Sequence, residues 1–199
     1  MQKVDLQKGV KALQAGSIIV YPTDTLYALG AYVYHEEAVK KIFEVKQRPF
    51  TEALPVAVAS LEEMEKIAEV TEVTRTVVQH FLPGALTVVV NRKPGVLDVL
   101  SGGRDTIAVR IPKSLVALEL LTQVGPLTVT SANIHSEQPA YDIAGIQQHL
   151  PTDKIAAFLD VGRLEGKPST IVDLTGEKPQ ILRKGVISEK EIVDAIAHG

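Results

Sequence analysis

Cysteine is missing from all 199 residues, which removes disulfides, thiolate nucleophiles and cysteine-held metals together. No apolar run approaches the roughly 18 residues that a membrane helix needs. The first stretch, Met1–Gln14, carries charges in an amphipathic pattern and has no signal-peptide core. The expectation is a soluble, cytoplasmic chain without a membrane segment. Positive charge is not in excess either: 21 Lys and Arg stand against 24 Asp and Glu, a net charge of −3. Proteins built mainly to hold nucleic acid are usually basic, so composition leans towards small-molecule chemistry.

Several familiar sites are also absent. There is no Gly-x-Ser-x-Gly elbow and no Gly-x-Gly-x-x-Gly fingerprint. The histidines at 35, 80, 135, 149 and 198 lack metal-ligand spacing and read as surface or satisfied side chains. Gly162–Thr170 looks like a phosphate loop until it is counted. Only three residues separate Gly162 from Gly166, and Pro168 divides Lys167 from Ser169, whereas a Walker loop needs four residues and a hydroxyl directly after the lysine.

What is present is a chain with 45% hydrophobic and 23% charged residues, long enough to bury a core. Helical periodicity marks 5–15, 36–47, 72–82 and 115–124, with a capping box at Ser60 and Glu63 and another at Ser188 and Glu191. Short β-branched runs mark strands at 17–21, 54–59, 86–90, 106–111, 127–130, 155–159, 170–174 and 180–182. The alternation, with no long linker or repeat, predicts one α/β domain over residues 1–199. Its architecture is a twisted, open, mixed sheet flanked by helices.

Four segments carry candidate chemistry. Tyr21–Gly30 places Thr23, Asp24 and Thr25 in a loop at a strand end, before the chain turns at a glycine. Such a loop can contact ligand or simply bond its own backbone. Lys46 and Arg48 stand before Pro49 where a helix should end, and an extended run would point both the same way. Together they suit a polyphosphate, facing solvent in the empty site; the alternative is that they complement the negative helix end. Thr128–Asn133 ends a strand with hydroxyls and a carboxamide. Arg110 interrupts the apolar strand Thr106–Ile111 and needs an anionic partner, either an internal acid or a substrate carboxylate. The sum is a site of hydroxyls and cations without a nucleophile, which fits nucleotidyl or phosphoryl transfer between substrates.

Taken together, the segments resemble the YrdC-like threonylcarbamoyl-AMP synthase family. The carriers are Pro22–Gly30, Lys46-x-Arg48-Pro49, Pro83-Gly84 ahead of Leu86-Thr87, Val109–Pro112, Thr130–Asn133, Pro168–Asp173 and Leu182–Gly185. They run in the family's order, and the chain ends soon after them, as in the short branch without a further C-terminal domain. The resemblance implies an L-threonylcarbamoyladenylate synthase. Such an enzyme joins L-threonine, bicarbonate and ATP, releases pyrophosphate, and feeds other proteins that modify adenosine 37 of tRNA. By the same resemblance Thr25, Tyr27, Arg110 and Ser169 surround threonine, with Arg110 on its carboxylate. Lys46, Arg48, Thr106, Ser131, Asn133 and Arg183 hold ATP, with Lys46 and Arg48 the catalytic pair. Mg2+ rides on the triphosphate and no protein metal site is implied. The chain departs from the family at Ala57, where many relatives carry histidine, at Ala140, where they often carry serine, and at Ala28, where glycine is common.

A second reading makes the chain a tRNA or double-stranded-RNA binding module without catalysis. Lys40, Lys41, Lys46, Arg48, Arg92, Lys93 and Arg104 would build its patch. The acidic total and the lack of aromatic stacking motifs count against it, although a weak contact with tRNA remains among the implied partners. A third, a carbamoyl-transfer module cut from a larger maturation factor, lacks that factor's zinc-finger and acylphosphatase-like regions.

Overall fold

A computed structural model describes residues 4–198, so Met1, Gln2 and Lys3 of the amphipathic start lie outside the described residues. In chain order the helices are α1 (Leu6–Gln14), α2 (Glu36–Lys46), α3 (Leu61–Ile67), α4 (Glu72–Phe81), α5 (Asp98–Ser101), α6 (Leu115–Val124), α7 (Ile143–His149) and α8 (Glu189–His198). The strands are β1 (Ile18–Pro22), β2 (Tyr27–Gly30), β3 (Val56–Ala57), β4 (Leu86–Asn91), β5 (Thr106–Arg110), β6 (Leu127–Thr128), β7 (Thr130–Ser131), β8 (Ile155–Phe158), β9 (Thr170–Asp173) and β10 (Gln180–Arg183). Among the described residues no helix is long and apolar enough to cross a membrane.

The helix starts are set locally. The Asp5 carboxylate accepts from Lys8 N at 3.0 Å to open α1, and Ser60 accepts from Glu63 N at 3.3 Å to open α3. The box before α8 is reciprocal: Glu191 accepts from Ser188 N at 2.8 Å while Ser188 accepts from Glu191 N at 3.3 Å. These bonds satisfy amides that no helical carbonyl can reach.

The α/β class and the mixed strand direction agree with expectation, but the strands are shared between two sheets. One has the order β7-β2-β1-β8 and the other β10-β9-β4-β5-β3-β6. The single strand expected at 127–130 is the joint. β6 pairs with β3 in the larger sheet, β7 pairs with β2 in the smaller, and Val129 between them bonds Pro55 O at 2.9 Å. Leu127 and Thr128 are β-branched or apolar and buried whichever sheet they join, so composition could not reveal the crossing.

β1 is buried on both faces, which explains its unbroken Ile-Ile-Val-Tyr run. Ile18 and Val20 join the main core with Leu29, Val88, Val109, Val172, Phe43 and Ile192. Ile19 and Tyr21 face the other way, against Val10 and Leu13 of α1 and Leu120 and Leu121 of α6. Each such burial contributes roughly 1.5–3 kcal/mol. The main core draws on both sheets and so holds them to one another.

The expected turn at Gly30 is instead the end of β2, which pairs antiparallel with β1. A side chain at position 30 would meet the Tyr21 ring at 2.8 Å, so the glycine is there to admit that ring. Tyr21 is fully buried, donates to Thr128 O at 2.9 Å, and is pushed well above the usual phenol range by desolvation.

Candidate active site

Residues of both sheets line a cleft of about 930 Å³. On β5, Thr106, Ala108 and Arg110 line it while Ile107 and Val109 enter the core, the period of two that a half-buried strand requires. Thr87 and Val89 of β4 and Ile171 and Asp173 of β9 extend the same wall. Every site residue named from the sequence lines this one cleft: Thr25, Tyr27, Lys46, Arg48, Thr106, Arg110, Ser131, Asn133, Ser169 and Arg183. Five cations lie there against three carboxylates, in a chain whose net charge is negative.

The loop between β1 and β2 meets both of its expected readings. Thr23 bonds its own turn, donating to Leu26 O at 2.7 Å and accepting from Thr25 N and Leu26 N. Its neighbours reach outward to Arg110. The guanidinium donates to Asp24 Oδ1 at 2.8 Å, Thr25 Oγ1 at 3.1 Å and Gly84 O at 3.0 Å. Arg110 is 4% exposed, and burial lowers its pKa against the opposing pull of Asp24. An internal acid is therefore its partner here, while its buried Nε has none. Asp24 also accepts from Lys113 N at 2.9 Å.

Segment 162–169 is no phosphate cradle. It is an extended strap whose Gly166 lies so close to Thr25 that a Cβ would sit inside that residue's backbone. The strap leads to Ser169, which Arg183 grips: Nε and Nη2 donate to its carbonyl at 3.1 and 2.9 Å, and Nη2 reaches its Oγ at 3.0 Å. Thr87 Oγ1 lies 3.0 Å from the same Ser169 hydroxyl. Burial first, and then the charge of Arg110, lower the pKa of Arg183. Tyr27 lends the cleft its ring. Its hydroxyl is occupied elsewhere, donating to Gly162 O at 2.6 Å and accepting from Val161 N at 3.0 Å, and burial raises its pKa to about 12.

The expectation that Lys46 faces solvent is overturned. It is 2% exposed, and Nζ donates to Ser131 O at 2.6 Å, Asn133 O at 2.7 Å and Asn133 Oδ1 at 3.4 Å. Desolvation, then the charge of Arg48, bring its pKa down to about 7. The lysine ends α2 and lies under the turn that carries Ser131 and Asn133, so its ammonium pins that turn. Asn133 completes the fastening by donating to Ile134 O and Glu137 O, both at 2.8 Å. Nor does an extended run bring Lys46 and Arg48 to one cleft: Gln47 between them is left-handed, with φ of 52°.

Arg48 is more open. It donates to Ala53 O at 2.9 Å and pairs with Glu52 at 3.1 Å, and its Nε is buried without a partner. Burial lowers its pKa and Glu52 raises it. His135, at the cleft wall, lies 3.3 Å from Arg48 Nη1 and 3.3 Å from Glu52 Oε1. Glu52 and His135 were not singled out from the sequence, and Asp24 was noted only as part of the polar loop after β1. A metal-spacing scan passes over a lone histidine, and an acid reveals its partner only when the fold supplies one. Of the other histidines, His35 caps α2 through Nδ1 at 3.3 Å from Ala38 N, and His149 and His198 bond carbonyls of their own helices.

The departures from the family pattern lie around the site unequally. Ala28 lines the cleft, Ala57 is buried beside Arg110 in the sheet, and Ala140 packs on the core. The basic patch is largely consumed: Lys40 pairs with Glu36 and Glu37, Arg92 with Asp98, and Lys93 donates to Glu65 O.

The model of the Sua5/YciO/YrdC family, described as telomere recombination, matches residues 11–185. A putative threonylcarbamoyl-AMP synthase of Methanocaldococcus jannaschii is 35% identical over 89% of this chain and 84% of its own length. The crystal structure of Pyrococcus abyssi Sua5 complexed with L-threonine is similar with a TM-score of 0.91 at 34% identity. That match covers 96% of this chain, which spans only 57% of the Pyrococcus chain. E. coli YciO is similar at a TM-score of 0.86 and 28% identity, over 94% of this chain and 92% of its own.

Proposed function

The chain belongs to the Sua5/YciO/YrdC family, and we propose that its cleft makes threonylcarbamoyl-adenylate from L-threonine, bicarbonate and ATP. One observation carries the reading: residues scattered from Thr25 to Arg183, all named from the family resemblance, line a single cleft. Its volume suits an amino acid and a nucleotide held together. The threonine-bound Pyrococcus relative supports the amino-acid half.

The chemistry asks little of the protein but position and charge. Threonine's amine adds to bicarbonate and water leaves, giving a carbamate. A carbamate oxygen attacks the α-phosphorus of ATP, and pyrophosphate departs. Neither step needs a protein nucleophile, and the cleft offers cations and hydroxyls instead. Thr25, Tyr27, Arg110 and Ser169 surround threonine, with Arg110 on its carboxylate. Arg48, Thr106, Ser131, Asn133 and Arg183 receive ATP. Lys46 lends charge from beneath and keeps the 131–133 turn in place. Magnesium enters with ATP as part of the substrate, held mainly by phosphate oxygens. The described residues gather no cluster of three metal-ligating side chains.

The whole chain acts as one domain in the cytoplasm. Its labile product passes to tRNA-modifying threonylcarbamoyl-transfer proteins, with at most a weak tRNA contact of its own. With all three substrates the protein should release pyrophosphate, and mass spectrometry should find threonylcarbamoyl-adenylate. Pyrophosphate release that ignores threonine or bicarbonate would sink the reading.

A further inference from the structure

A closed ring of three side chains stands at the cleft wall. Arg48 Nη2 holds Glu52 Oε2 at 3.1 Å, His135 Nε2 lies 3.3 Å from Glu52 Oε1, and Arg48 Nη1 lies 3.3 Å from His135 Nδ1. Arginine can only donate, so Nδ1 accepts and the imidazole proton sits on Nε2, the nitrogen that faces Glu52. Both oxygens of one carboxylate thus occupy two donors that line the cleft. Donors arranged to take two oxygens of one anion are the arrangement that recognises a phosphoryl group.

The backbone supports the same reading. Gln47 and Ser136 are the non-glycine residues found with positive φ among the described residues, at 52° and 65°. They flank Arg48 and His135 directly, and His135 N bonds Lys46 O at 2.7 Å between them. Left-handed backbone at non-glycine residues concentrates where a side chain must be aimed. The ring is also open enough to exchange partners: the side chains of Arg48, Glu52 and His135 are 18%, 40% and 28% exposed.

We propose that Glu52 is a resident anion, occupying on Arg48 and His135 the place of a substrate phosphoryl group, and that polyphosphate binds by displacing it. Glu52 thereby sets the affinity of the cleft for its anionic substrate, and His135 becomes a second phosphoryl donor once the carboxylate has swung away. The inference rests on the cleft being a polyphosphate site, and its test needs neither threonine nor turnover.

The probe is inorganic triphosphate, titrated calorimetrically into the full chain. Glu52→Gln keeps the shape of the side chain and removes its charge, so the Kd should fall about fivefold, the scale of a partly exposed ion pair. Glu52→Ala should tighten binding in the same direction. Adding Arg48→Ala to Glu52→Gln should cancel the gain, and thermal unfolding of each variant checks the fold. An unchanged or weaker Kd in both Glu52 variants overturns the proposal, as does a gain that survives loss of Arg48 or an absence of triphosphate binding throughout. If Glu52→Gln tightens triphosphate while no threonine-dependent pyrophosphate forms, the synthase reading fails alone. If turnover is present and the Kd does not move, the resident-anion proposal fails alone.

Discussion

Arg110 and Arg48 line the same cleft and each faces an internal carboxylate, yet they sit at different depths. The side chains of Arg110 and Asp24 are 5% and 14% exposed, those of Arg48 and Glu52 18% and 40%. Asp24 belongs to a loop fastened by Thr23 and also accepts from Lys113 N. Among the described residues the Glu52 carboxylate has no such fastening beyond Arg48 and His135. In the low-dielectric interior a charge without its partner is costly, so the inner pair works as a frame. Near solvent the same chemistry is weak and exchangeable, so the outer pair can surrender its arginine to a ligand. Two ion pairs of like composition thus differ in role because of their burial and of what else fastens the acid.

The sharpest way to break this contrast is Asp24→Ala. It would strand a buried guanidinium and should lower unfolding stability by about 3–5 kcal/mol, read from the urea midpoint. A midpoint unmoved by that change would mean that Arg110 needs no internal partner. Arg48→Ala attacks the outer pair and should behave oppositely. Stability should fall by no more than about 1 kcal/mol, while the ATP needed for pyrophosphate release rises about ten- to a hundredfold, the scale of one lost charge-assisted contact. Wild-type turnover at limiting ATP would reduce Arg48 to ornament at a helix end.

Arg110→Lys sharpens the inner side. The charge stays but the fork onto Asp24, Thr25 and Gly84 is lost, so stability should drop by about 1–2 kcal/mol, together with a raised threonine requirement. Destabilisation with an unaltered threonine requirement would remove Arg110 from the substrate.

A separate pH effect concerns Lys46, buried like Arg110 but with no carboxylate against it among the described residues. Its pKa falls from an ordinary 10.5 to about 7 on folding, so between those values the unfolded chain binds more protons than the folded one. Stability should therefore rise as pH climbs from 7 towards 10. In Lys46→Met that rise should flatten in parallel pH-dependent urea titrations, and an unchanged slope would show the ammonium to be as comfortable inside as out.

Local signals were enough for much of the fold. The helix at 115–124, both Ser-x-x-Glu starts and the strands at 86–90 and 170–174 need only periodicity and capping, which neighbouring residues supply. The strand at 54–59 shrinks to Val56–Ala57, and β2, four residues directly after the polar Thr23–Thr25 run, carries too short an apolar stretch to stand apart from that loop. α7 went unseen because its seven residues, Ile143–His149, carry only two buried apolar positions. The site residues that the sequence singled out do all line one cleft. Their states were not legible: Lys46 gave no sign of being buried, and Glu52 and His135 carried no motif at all.

By itself, then, the order of residues determined the class of fold, the family and the chemical inventory of the cleft, because propensity, capping and motif spacing act over a few positions. Tertiary structure decided which sheet each half of Leu127–Ser131 joins, which carboxylate meets which arginine, and how deeply each pair is buried. Those outcomes depend on residues as far apart as Asp24 and Arg110 or Lys46 and Asn133, and on the dielectric around them. Only the packed chain sets either.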